Sequence, residues 1–190
     1  MKVILFKPFE KFRENQLFIF GTFFLLLGTY IATFCHANYD GAIDIHFSNY
    51  QLTFTELLTE NLINISVLFL CLFLAGIYRY KKTKTIDILN IVLISRVPFY
   101  FLALFNVNNS LSVNSSIPIN ELMDFAMEHL FLLITMTIVM ILVVIWMFAL
   151  LYNGYKTATN AKGNVGLALF IAAIVVAEIL SKLIIYSTIL

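Results

Sequence analysis

Residues 130–152 read Leu130-Phe-Leu-Leu-Ile-Thr-Met-Thr-Ile-Val-Met-Ile-Leu-Val-Val-Ile-Trp-Met-Phe-Ala-Leu-Leu-Tyr152, without a single charge. As a helix rising about 1.5 Å per residue, this stretch exceeds the roughly 30 Å hydrocarbon core of a bilayer. Four further stretches qualify, at about Leu17–Cys35, Leu62–Tyr78, Ile86–Phe105 and Val165–Ile189. Hydrocarbon offers no water to backbone groups, so each must be a helix. The expectation is an all-α, polytopic membrane protein: a bundle of five transmembrane helices forming a single domain over residues 1–190.

Composition agrees. Of 190 residues, 61% are hydrophobic and 12% charged, where soluble domains carry roughly 45–50% and about 25%. A soluble enzyme, a disordered chain and a fibrous protein are excluded. The net charge is +1, and no basic surface suited to nucleic acid forms. Neither a phosphate-cradling glycine loop, nor Cys-x-x-Cys, nor His-Glu-x-x-His, nor a Gly-x-Ser-x-Gly elbow occurs. No enzyme activity and no cofactor are expected.

The basic residues set the orientation. Lys2, Lys7, Lys11 and Arg13 precede the first span, Arg79, Lys81, Lys82 and Lys84 lie between the second and third, and Lys156 and Lys162 between the fourth and fifth. The opposite loops, 36–61 and 106–129, hold none and carry Asp40, Asp44, Glu56, Glu60, Glu121, Asp124 and Glu128. The positive-inside rule then places the N-terminus in the cytoplasm and the C-terminus outside it. The first apolar run is longer than a signal-peptide core and is read as an uncleaved anchor. Cys35 and Cys71 differ in depth by about 15 Å, too far for a disulfide, and are read as apolar fillers.

The loops add local signals. Thr53-Phe-Thr-Glu56 fits a capping box that would start the second helix before the membrane. Ser116-Ile-Pro118, with Asn120 as an N-cap, would let the fourth helix project likewise. Tyr39, Gly41 and Phe47 suggest that their loop is ordered and packs on the bundle. Residues Lys7–Arg13 are basic and aromatic, which suits either an anionic leaflet or a plain orientation signal. Small residues at Gly28 and Ala32, and at Ala168, Ala172, Ala173 and Ala177, would let helices approach closely, within the chain or in a homo-oligomer.

Arg96 falls near the middle of the third span, where a charge is costly without a partner. Pro98 removes a backbone donor beside it and predicts a helix kink. Glu178 in the last span lies within about 5 Å of Arg96 in depth, and Lys182 follows one turn later. Three readings stand: an intramembrane Arg96–Glu178 ion pair fixing helix register, a titratable path in a small channel or transporter, and an arginine meeting lipid headgroups or carbonyls. A second constellation, His36, Asp40, Asp44, His46 and His129, is a candidate exoplasmic metal site, although its spacing matches no standard one.

The stretch Lys7-Pro8-Phe9, the five-span layout, and Trp146-Met-Phe-Ala-Leu-Leu-Tyr-Asn153-Gly154-Tyr-Lys156-Thr-Ala158-Thr, with its short basic loop, resemble the Ypt-interacting-protein (Yip) domain family, in its bacterial form. The resemblance spans nearly the whole chain, mostly as hydropathy. It implies a non-catalytic scaffold, membrane-organising or partner-binding protein of a bacterial inner membrane, with the lipid bilayer and a membrane-protein partner or second copy as its contacts. Eukaryotic relatives bind Rab-type GTPases. This chain lacks their long cytoplasmic N-terminal region and Asp-Leu-Tyr-Gly-Pro-like motif, which tells against GTPase binding here.

Overall fold

A computed structural model describes residues 5–47, 50–109, 119–161 and 163–188. A single 3₁₀ turn, Pro8–Glu10, leads into α1 (Glu14–Cys35). A two-residue strand pair, β1 (Ala37–Asn38) and β2 (His46–Phe47), precedes α2 (Phe54–Arg79). Then come α3 (Thr85–Ser95), α4 (Val97–Tyr100) and a 3₁₀ segment, Phe101–Asn109. After α5 (Ile119–Glu128), the long helices α6 (Leu130–Thr159) and α7 (Gly163–Thr188) complete the chain. Among the described residues, five helices are long and apolar enough to cross a membrane, with Thr85–Val107 counted as one.

The sequence boundaries shift for identifiable reasons. The second helix starts at Phe54 because Thr53 caps it: the Glu56 N–H donates to Thr53 Oγ1 at 3.3 Å, and Glu56 Oε2 accepts from Thr53 N–H at 2.8 Å. Residues Ser116–Pro118 lie outside the described residues. Asn120 sits within α5 rather than capping a helix. The fourth span runs to Thr159 and ends on Asn160 in the left-handed conformation. Lys156, expected in a loop, therefore occupies the last turn of α6, where a cation suits the helix dipole.

Pro98 produces more than a kink. It has no N–H to offer Ile94 O. The α-helix stops at Ser95, resumes as the single turn α4, and tightens into 3₁₀ geometry from Phe101. This broken element is the centre of the bundle. Its most apolar window is 72% buried, against 6% for α6. It packs between α1, α2 and α6, while α7 leaves α6 and lies along α2.

Small residues set the closest approaches. A Cβ at Gly28 would collide with the Tyr100 ring, and one at Gly21 would come within 2.7 Å of Leu93 Cβ. On α7, Ala173 and Ala177 are buried, whereas Ala168 and Ala172 are exposed. Cys35 and Cys71 are free thiols. The two stretches carrying the family resemblance touch one another. Trp146 Nε1 donates to Leu5 O at 2.8 Å, Asn153 Nδ2 donates to Phe6 O at 3.0 Å, and Gly154 faces the Phe9 ring.

Gly28→Val should overpack the contact between α1 and α4. A loss of about 1–3 kcal/mol is expected, measured as a lower unfolding temperature in detergent. Val substituted at exposed Ala168 should leave that temperature unchanged.

Candidate functional site

The 36–47 loop does not stay at the rim of the bundle. The chain leaves α1 through His36, whose φ of 49° is left-handed, and turns back between the helices. Gly41, Ala42 and Ile45 are buried, and Tyr39 is fully so. Cys35 O, at the end of α1, accepts from Asn106 Nδ2 at 2.7 Å. Thr29, which shares the Asn61 amide with Arg96, lies six residues earlier, about 9 Å deeper along the helix. The tip of the loop reaches that deeper level. Irregular backbone inside an apolar bundle must find its hydrogen bonds within the protein.

It finds them on polar side chains projecting from α2, from α7 and from the break between α3 and α4. Tyr39 N–H donates to Glu60 Oε2 at 3.0 Å, and Tyr39 O accepts from Asn64 Nδ2 at 2.6 Å. Ala42 N–H donates to Ser181 Oγ at 3.1 Å. Ala42 O accepts from Arg96 Nη1 in a very short hydrogen bond. Ile43 N–H donates to Glu178 Oε2 at 2.9 Å. Gly41 is required beside this contact, because a Cβ there would come within 2.5 Å of Glu178 Oε1.

Arg96 and Glu178 therefore do not meet as an ion pair. The expected partners are brought to opposite ends of one peptide unit, the Ala42 carbonyl facing the guanidinium and the Ile43 amide facing the carboxylate. The peptide dipole is aligned between the two charges and links them. The arginine is completely buried. Its Nη2 also donates to Asn61 Oδ1 at 3.3 Å, and Asn61 Nδ2 donates to Thr29 Oγ1 at 3.1 Å. Three rings enclose the guanidinium, with Phe99, Tyr100 and Tyr39 centred 5.5, 5.7 and 5.9 Å from it. Aromatic faces stabilise a desolvated cation.

Lys182 ties the loop down from the other side. Its Nζ lies 2.5 Å from Asp44 Oδ2 and 3.3 Å from Glu178 Oε1. The candidate metal site does not assemble: no group of three potential ligands forms among the described residues. Asp44 is taken by Lys182, His46 is exposed in β2, and His129 stacks on Phe125 at 4.4 Å, outside this cluster. Burial first, and then neighbouring Asp44, pushes the Asp40 carboxyl above its ordinary range. Burial, followed by Tyr100, raises the Tyr39 hydroxyl well above its usual value.

A second span starting at Leu62 leaves Glu60 and Asn61 in the preceding loop, and Asn64 inside the span carries no charge to single it out. The capping box at Thr53 already implied that they are helical. Residues i, i+1 and i+4 then share one face, and three polar side chains on an inward face signal a polar task inside the bundle. Compared with family models, curated proteins and solved structures, the chain matches none. Its class rests on architecture: five long apolar helices around a re-entrant loop held by buried polar side chains.

Ser181→Ala should cost about 1–3 kcal/mol by stranding the Ala42 N–H. Arg96→Met and Glu178→Met should each lower the unfolding temperature in detergent, and the double variant should not recover. Recovery would indicate a direct pair, whereas a bridging peptide keeps its bare carbonyl and amide. Separately, folded Asp40 holds its proton more tightly than unfolded Asp40. Its contribution favours folding below the ordinary carboxylate range and fades as pH rises through the raised value. Asp40→Asn should flatten that decline in unfolding temperature, and unchanged slopes would refute the assignment.

Proposed function

We propose that this chain is a non-enzymatic, multi-pass integral membrane protein that serves as a scaffold, membrane-organising or partner-binding component, with its basic end in the cytoplasm. The supporting observation is α6. It has the highest mean hydropathy of the five long helices, 2.9, yet only 6% of its most apolar window is buried. Met147, Leu150 and Leu151 are buried where α6 packs on α3 and α4, while Phe131, Ile138 and Ile145 stay exposed. Lipid alone satisfies such a surface. A partner helix is favoured because α5, joined to α6 at His129, prolongs the apolar exposure through Leu122, Met123 and Met127. A large contiguous apolar patch of this kind marks an interaction surface.

A scaffold role agrees with what the likeness to Yip-domain proteins implies, and a bacterial inner membrane remains the proposed location. The channel or transporter reading has less support. Arg96 and Glu178, the residues it would use, are occupied by the Ala42–Ile43 peptide.

Photo-crosslinking residues at Phe131, Ile138 and Ile145 should trap a second polypeptide in native membranes, and one at buried Leu151 should not. Adducts with lipid alone at all three positions would remove the scaffold reading. Proteoliposomes should pass neither protons nor ions, and flux abolished by Glu178→Gln would establish the transporter instead.

A further inference from the structure

A second feature lies at the basic end, away from the re-entrant loop. Beside the break at Pro98, residues of α1, α6 and the described part of the N-terminal segment line a cavity of about 490 Å³. Its floor is buried Leu17, Ile94, Pro98 and Leu150, and its open rim includes the exposed Phe12 and Phe20. Gln16 and the Trp146 indole are the polar side chains in its wall, and the indole N–H is already bonded to Leu5 O. The volume falls within the roughly 300–1,000 Å³ of ordinary ligand sites. A lining this apolar selects a hydrocarbon chain.

The segment Lys7–Glu14 that flanks the rim carries a net positive charge. Glu10 is paired with Lys7 at 3.3 Å and Glu14 with Lys84 at 3.0 Å. That leaves Lys11 and Arg13, both exposed and without an ion pair among the described residues. Both flank Phe12, which lines the cavity. Lys11 Nζ lies 5.8 Å from the centre of the Phe12 ring, and the Arg13 N–H donates to Gln16 Oε1 at 3.1 Å. The adjoining cavity beyond Phe12 and Leu17 mixes Lys82 and Lys84 with Glu14 and Asp87, and so has no net preference for an anion.

We propose that this cavity binds one acyl chain of an anionic phospholipid, whose head group sits on Lys11 and Arg13. The proposal deepens the membrane-organising side of the reading above and depends on the chain being embedded in a bilayer. Basic side chains at a membrane surface attract anionic lipid, and here an apolar slot beside them holds the tail in place.

Trp146 is the only tryptophan in the chain and lines the cavity, so its fluorescence reports occupancy. Resistance of the full-length chain to carbonate extraction first tests the membrane reading on its own. The purified protein in a neutral detergent is then titrated with phosphatidylglycerol or phosphatidylcholine brominated on the acyl chains. Quenching should saturate with phosphatidylglycerol at a concentration about tenfold or more below that for phosphatidylcholine, the selectivity expected of two basic side chains. Lys11→Glu with Arg13→Glu should remove this preference. Val97→Phe, which fills the slot, should abolish the saturable part with both cations in place. Quenching that rises in proportion to either lipid without saturating, or equal affinity for both lipids, overturns the proposal. So does a preference for phosphatidylglycerol that survives the double charge reversal. If Val97→Phe loses its helical circular dichroism, the charge-reversal comparison alone decides.

Discussion

The bundle depends on one peptide unit. Between Arg96 on the broken central element and Glu178 on the last helix lies the Ala42–Ile43 amide, its oxygen on the cation and its hydrogen on the anion. A naked arginine inside an apolar bundle costs several kcal/mol or more. So does a stretch of unbonded backbone. Each satisfies the other. The loop supplies the carbonyl that the guanidinium needs, and Arg96, Glu178, Glu60, Asn64 and Ser181 supply the loop's missing hydrogen bonds.

The same requirement explains the arrangement of helices. A loop inserted between α2, α7 and the central element occupies space that another helix would otherwise fill. The α7 helix closes over it from the α2 side, carrying Glu178, Ser181 and Lys182 to three successive points on the loop, at Ile43, Ala42 and Asp44. With α7 committed there, the fully buried residues of α6 lie in its basic half, from Met147 to Thr159, and Val139, Met140 and Val143 add partly buried contacts to the core. The exposed apolar length of α6 and the buried polar cluster follow from one packing decision.

Much of this was legible in the sequence. Hydropathy located all five long helices, Thr53 and Glu56 marked where the second begins, and Tyr39 and Gly41 pointed to an ordered loop. Similar depth along their helices groups Arg96 with Glu178 as a direct ion pair, and the structure instead sets one peptide unit between them. Depth is a one-dimensional quantity, however, and cannot say whether a third element lies between two residues at one level. The span ends were misjudged where polar residues face protein. Asn153, Gly154 and Thr159 look like loop residues, yet they belong to α6, two of them contacting the N-terminal segment and the third lying buried. The histidines and aspartates of the outer loops form no three-ligand group among the described residues, because His129 stacks on Phe125 and Lys182 claims Asp44.

The loop's dependence on α7 has a consequence for biogenesis. Ala42 is synthesised early, while Ser181, which receives its N–H, lies 139 residues later in the chain. Until the final helix enters the membrane, the Ala42 and Ile43 amides have no native acceptor, and the loop cannot hold its buried position. Such long-range closure is slow and leaves intermediates exposed. The last helix is therefore the checkpoint of assembly: a chain halted before it retains four hydrophobic spans but lacks the side chains that seat its own second half of polar contacts, and membrane quality control would meet it as an unfinished protein.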